Sequence, residues 1–174
     1  VVDGVPRQAR VDHLRLGRVA QRTIALVADG KSYANVMDMA PERAVIQAIA
    51  KTRLDIQAAS YLRGAALIPS FLKEGKVYGS EGINREWLDT LAAMQPEDWS
   101  FHWVFYEKDA PISLIRSTKV GSPMIEAANM DLKRAIESYR ENMAVFGTNW
   151  RFVDPIPEPE IDQNDLPKFM MYGA

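Results

Sequence analysis

From Pro6 to Ala28 the apolar residues Leu16, Val19, Ala20 and Val27 fall on one side of a helical projection and Arg7, Arg15, Arg18 and Arg22 on the other. That spacing predicts an amphipathic helix with a basic outer face, opened by Pro6 and stopped at Asp29-Gly30. Gly17 lies inside it and weakens it by about 1 kcal/mol relative to Ala. Ser32 is placed to cap a short second helix through Met39, and Pro41 to open a third. The third carries the stripe Val45, Ile46, Ile49, Ile56 and Ala59 and runs on through Ala65 to Ile68, where Pro69 imposes a kink or stop. Gly75, Gly79 and Gly82 punctuate a loop at residues 75–82, the best internal boundary.

Beyond this loop Asn84 is positioned to cap a short helix that buries Trp87, Leu88, Leu91 and Met94, ended by Gln95-Pro96. Then the period changes. Trp99, Phe101, Trp103 and Phe105 alternate with Ser100, His102, Val104 and Tyr106, the pattern of a strand with one aromatic face. Lys108 to Pro111 supplies a turn, and Ile112 to Thr118 returns as the second strand of a hairpin. Ser122-Pro123 starts a long helix and Gly147 stops it, with Ile125, Ala128, Leu132, Ile136, Tyr139, Met143 and Phe146 on one stripe. Trp150 to Val153 reads as a short third strand. From Asp154 to Pro167 prolines and acids replace all periodicity, which predicts an extended, solvated arm ending in Phe169, Met170, Met171 and Tyr172.

The predicted fold is therefore mainly α with a small antiparallel β ribbon: a helical bundle over residues 1–153 followed by an extended acidic, Pro-rich tail, 154–174. A chain of 174 residues is long enough to bury a real core. No stretch is apolar enough to span a membrane. The absence of Cys removes disulfides, cysteine-based metal sites and thiol nucleophiles, and it favours a reducing compartment such as the cytoplasm. No leader pattern precedes the first helix, so the expectation is that any targeting segment has been removed or that the chain is trimmed at its start, which leaves localisation open.

Charge alters this outline, because the net charge of -2 conceals a division. Residues 1–76 hold twelve Lys/Arg against seven Asp/Glu, and residues 77–174 hold nine against sixteen. A basic first part and an acidic second part suit either contact with a polyanion or head-to-tail contact between copies.

Four candidate sites follow. Residues 21 to 53 outline a helix-turn-helix, in which Arg43, Gln47 and Lys51 read or grip DNA while Arg15, Arg18 and Arg22 hold phosphates. Its short turn Met39-Ala40-Pro41 lacks the usual Gly, and a basic-faced bundle explains the same pattern. The aromatic strand is either a stacking platform or the inner face of a sheet covered by the long helix. Of the two histidines, His13 reads as a surface residue among arginines, and His102 as a structural histidine or as the residue for acid-base chemistry with Glu107 or Asp109 as partner, although no catalytic or metal-ligand spacing surrounds it. The last candidate is the tail, which either wraps its own domain or crosses to a neighbouring copy, where Asp154, Glu158 and Glu160 meet the basic face of residues 7–22 and Phe169, Met170, Met171 and Tyr172 are buried. The glycine-rich loop lacks a phosphate-binding ending. Together these favour a non-catalytic assembly subunit, with other protein subunits or copies of itself as partners and no cofactor or metal. A helix-turn-helix DNA-binding protein is the alternative, and a small enzyme centred on His102 the third reading.

Overall fold

The computed structural model describes residues 5, 8, 10–35, 37–78, 82, 84–108 and 111–147. Where the basic amphipathic helix is expected, the chain instead forms a hairpin of strand β1 (His13–Val19) and strand β2 (Arg22–Tyr33). Two periods compete in this stretch. Leu14 and Leu16 also repeat at the two-residue interval of a strand, as do Ala25 and Val27, and Gly17 together with β-branched Thr23, Ile24 and Val27 weakens the helix. Pairing decides the outcome, because β2 gains backbone partners on both sides. Val19 pairs with Arg22, so Ala20-Gln21 alone makes the turn, and Ala20 adopts the left-handed φ of 53° that such loops demand. Gly, Asn or Asp normally marks that position, which is why the turn is invisible in the sequence.

Helix α1 (Pro41–Lys51) opens on its proline as expected. The predicted long helix is broken, however, at Thr52-Arg53: Arg53 is left-handed at φ 53°, and α2 (Leu54–Ala65) starts anew. Ser32 is a β2 residue and caps nothing. In place of a helix over 32–39, the Asn35 side chain bonds both the carbonyl and the amide of Met39, at 2.7 and 3.0 Å. Pro69 sits in the first turn of α3 (Ile68–Lys73), where its missing N–H costs nothing. Asn84 caps α4 (Arg85–Ala92) by accepting from the Glu86 amide at 2.8 Å. After a 3-10 turn at Pro96–Asp98 come β3 (Trp99–Glu107), β4 (Ser113–Lys119) and α5 (Pro123–Phe146), close to their predicted bounds.

The strands form one mixed sheet in the order β1-β2-β3-β4, with β2 and β3 parallel and both outer pairs antiparallel. The expected small ribbon in a helical bundle is thus corrected to a four-stranded sheet with helices against it. Aligned across the two central strands, Ala25, Val27 and Asp29 face the same way as Trp99, Phe101 and Trp103. These residues, with Phe105, meet Ala44, Val45 and Ile49 of α1, Ala58, Ala59 and Leu62 of α2, Leu91 of α4, and Ile125 and Ala128 of α5 in a single core. Phe101 is its centre, with edge-on contacts to Trp103 at 5.2 Å and Tyr61 at 5.7 Å. The aromatic strand is therefore the covered inner face of a sheet.

One carboxylate belongs to this inner face. Asp29 is buried beside Trp103, its Oδ2 paired with the Lys31 ammonium and its Oδ1 accepting from Gln57 Nε2 at 3.3 Å. The break between α1 and α2 is also fixed by charge: Arg53 donates to Asp55 at 3.1 Å and to Asp131 of α5 at 2.5 Å. The two hydrogen-bonded guanidinium groups of Arg53 and Arg134 hold the Asp131 carboxyl below the usual carboxylate range.

The chain divides into two compact units, Val1–Glu137 and Ser138–Ala174, with the whole sheet and α1 to α4 in the first. The expected strand at Trp150–Val153 and the segment carrying Asp154, Glu158, Glu160, Phe169, Met170, Met171 and Tyr172 lie outside the described residues.

The strained turn yields a direct test. Ala20→Gly should raise stability by about 1 kcal/mol, since Gly adopts a positive φ without the Cβ clash. The midpoint of urea unfolding measures it, and a lower midpoint would contradict the turn geometry.

Candidate functional site on the uncovered sheet face

Strand parity places a second set of side chains on the side of the sheet away from the helices. His13, Arg15, Gly17 and Val19 of β1 align with Ala28, Leu26, Ile24 and Arg22 of β2. Ser100, His102, Val104 and Tyr106 of β3 align with Lys119, Ser117, Ile115 and Ser113 of β4. The aligned positions Leu26, Ala28, Gly30 and Ser32 of β2 join the two halves. None of these outward positions carries an acid. The face is partly apolar: Val19, Tyr106 and Ile115 are 59%, 52% and 58% exposed. Leu26 lies over Gly17 so closely that a Cβ there would come within 3.1 Å of its Cδ1.

The polar residues of the face gather at one corner. Ser100 Oγ is 2.9 Å from His102 Nε2, and the same hydroxyl is 3.5 Å from the Ala25 carbonyl. Directly across the β3–β4 ladder stand Ser117, opposite His102, and Lys119, opposite Ser100. Where β4 leads into α5, the hydroxyls of Thr118 and Ser122 are 2.8 Å apart. These groups surround a hollow of about 420 Å³ floored in part by Ile24. Partial burial pushes the His102 imidazole below its ordinary value, so near neutral pH it is uncharged and has a lone pair.

A serine hydroxyl against an imidazole is the first requirement of nucleophilic catalysis, and a group orienting the imidazole is the second. The expected partner Glu107 cannot serve. It lies on the inner face of β3, where its carboxylate accepts from Tyr33 Oη at 3.2 Å, and burial, reinforced by this carboxylate, raises the Tyr33 pKa. Asp109 lies outside the described residues. Among the described residues no group of His, Asp and Glu side chains could hold a metal ion. Among the described residues no helix is long and apolar enough to cross a membrane.

The helix-turn-helix outline loses its first two helices to β1, β2 and the loop that follows, so Arg15, Arg18 and Arg22 are strand residues. Arg15 is turned to the uncovered face, and Arg22 is held at the sheet end by Asp98 at 2.5 Å and Glu97 at 3.7 Å. Arg43, Gln47 and Lys51 belong to α1, which packs on the opposite side of the sheet through Ala44, Val45 and Ile49. The six residues do not form one surface. Tyr106, Ile115, Ser117 and Lys119 were missed as site residues. The alternation of Ser113, Ile115, Ser117 and Lys119 is visible in the sequence, but only the β3–β4 register shows that it faces His102.

No family model, curated protein or solved structure matches this chain. Function must be argued from the geometry of the face alone.

The imidazole provides a test of that geometry. Because the folded chain resists protonating His102 and the unfolded chain accepts a proton at about pH 6.5, stability is complete above that pH and declines as the pH falls toward the folded pKa. His102→Gln should flatten this decline. Urea midpoints at pH 7.5 and 5.5 should therefore differ less for the variant than for the parent.

Proposed function

We propose that the protein is a non-catalytic assembly subunit that docks through the uncovered face of its sheet. The observation that carries this reading is a partly apolar face whose outward strand positions carry no acid, the Asp12 carboxylate beside Gly30 being bonded to that residue's amide at 2.9 Å. Val19, Tyr106 and Ile115 present apolar surface to water there, and Arg15 and Lys119 set its charge. Tyr106 and Ile115 project from neighbouring strands at the Ser32 end of the sheet and Val19 at the Arg22 end, so the apolar part of the contact is the Tyr106–Ile115 patch with polar groups around it.

The occupant best matched to it is the segment 154–174 of a neighbouring copy. This segment carries Asp154, Glu158, Glu160, Asp162 and Asp165 against a single Lys168, and it ends in Phe169-Met170-Met171-Tyr172. Its acids complement the cationic face, and its aromatic and methionine side chains supply apolar area to bury against Tyr106 and Ile115. Such an exchange also accounts for the opposite charges of the two parts of the chain. The docking surface is a strand face, in place of the basic helix that the residue pattern suggests.

Sedimentation velocity over a concentration series tests the reading. The parent should associate, whereas Ile115→Glu, which places a charge at an exposed position and should leave the fold unchanged, should sediment as a monomer. Removal of the residues after Val153 should do the same. Association unaltered by Ile115→Glu would refute docking through this face, and association unaltered by the truncation would refute the acidic segment as its occupant. Labelled duplex DNA supplies the contrasting outcome: tight binding that weakens steeply with salt would assign the cationic positions to nucleic acid.

A further inference from the structure

The corner hollow shares Lys119 with the docking face but adds a cluster of hydroxyls and an imidazole that docking does not require. Its polar groups converge from three directions: Ser100 and His102 from β3, Ser117 and Lys119 from β4, and Ser122 from the start of α5. Serine hydroxyls and an ammonium are donors, and a protonated imidazole is one also. No carboxylate lines the hollow. The nearest acids along the chain, Glu97 and Asp98, are occupied by Arg22, and Asp98 Oδ2 also accepts from the Gln95 amide at 2.7 Å. The Lys119 side chain has no acidic partner among the described residues. A site with one point charge, several hydroxyls free to turn as donors and no carboxylate suits an anion.

Geometry narrows the class. Arginine forks favour planar carboxylates held by two parallel bonds, and the hollow contains none. A lysine point charge with hydroxyls on several sides suits a tetrahedral group whose oxygens point in different directions. The volume of about 420 Å³ exceeds what an inorganic anion fills, and Ile24 adds an apolar wall for the remainder of a ligand. We propose that this corner binds a small oxyanion of the phosphate-monoester class, held by Lys119, Ser117, Ser122 and His102. The site does not depend on docking by a neighbouring copy.

Anion binding at this place has a consequence for His102. A phosphate group beside the imidazole favours its charged form, opposing the burial that disfavours it. The other charged or titratable groups around the imidazole are Lys119 on β4, His13 and Arg15 on β1, Asp12 just before β1, Tyr106 farther along β3, Glu126 in the first turn of α5, and Arg22 with its acids at the sheet end. The Asp12 carboxylate accepts from the Gly30 amide at 2.9 Å, and neither it nor Glu126 lines the hollow. Phosphate should therefore raise the imidazole pKa and should itself bind more tightly as the pH falls.

The test is an NMR titration of the full chain with inorganic phosphate and with phenyl phosphate, and with acetate at matched ionic strength. Both phosphates should give saturating shifts confined to Ser100–His102 and Ser117–Ser122, and should move the His102 titration to higher pH. Lys119→Met should weaken binding about tenfold or more, the scale of a lost charge-assisted hydrogen bond. Ser117→Ala should weaken it about threefold. Both positions are exposed, so the variants should fold. Shifts that do not saturate, that spread over other cationic residues, that acetate reproduces, or that persist in Lys119→Met would each overturn the assignment.

Discussion

Because β2 and β3 run parallel at the centre of the sheet, the chain leaving Tyr33 must travel back along the sheet before it can begin Trp99. A hairpin cannot make that connection, so a crossover is obligatory. Residues 34–98 are that crossover, and they contain α1 to α4. The helices that bury the aromatic face are thus present because of the pairing direction. Reversing the pairing would remove the need for them on that side and leave Trp99, Phe101, Trp103 and Phe105 in water. The same one-sided cover leaves the other face to its outward residues, which is why the core and the candidate site are opposite sides of the same two strands.

Neither face is fully satisfied chemically. On the covered side Trp99 Nε1 and Trp103 Nε1 find no hydrogen-bond partner among the described residues, nor does Gln57 Oε1. Burying an indole N–H without a partner costs about 1–3 kcal/mol, and the large apolar area of each ring outweighs it. Asp29 is the costlier group, a carboxylate within the core whose counter-charge is Lys31. Removing the lysine alone would strand that charge, whereas replacing both by apolar residues would not. The pair ties the inner face of β2 to one register, since a slip by one residue would turn Asp29 outward and bring Gly30 into its place.

Much of the second half of the chain was legible in the sequence, and the reason is local. From Asn84 onward each element carries its own signal: a capping side chain, an unmixed period or a proline at the first turn. The first half was misread because its decisive facts are not local. Leu14, Leu16, Ala25 and Val27 fit either period, the turn at Ala20-Gln21 has no turn residue, and Arg53 breaks a helix that its own propensity would continue. Partners on either side of β2 settled the choice, and no spacing reports them. The site suffered likewise. His102 could be singled out by type and Ser100 stands two residues away, but Ser117 and Lys119 join them only through the register of β4.

An uncovered, partly apolar sheet face is ordinarily a hazard, because exposed strands invite pairing with other strands. The arrangement of charge limits which kind of association can occur. Both edge strands are cationic, β1 through Arg15 and Arg18 and β4 through Arg116 and Lys119. Bringing the β1 edge of one copy against the β4 edge of another would set like charges together, and pairing identical edges would do the same. Continuous extension of the sheet from copy to copy is therefore disfavoured electrostatically. Association through the face escapes this penalty only if the incoming surface is acidic where the rim is basic and apolar where Tyr106 and Ile115 project. A second sheet face from the same protein fails the first condition, since it is cationic itself. The segment 154–174 carries both kinds of residue, so the charge pattern that disfavours sheet-to-sheet growth is also the one that suits the proposed occupant of that face.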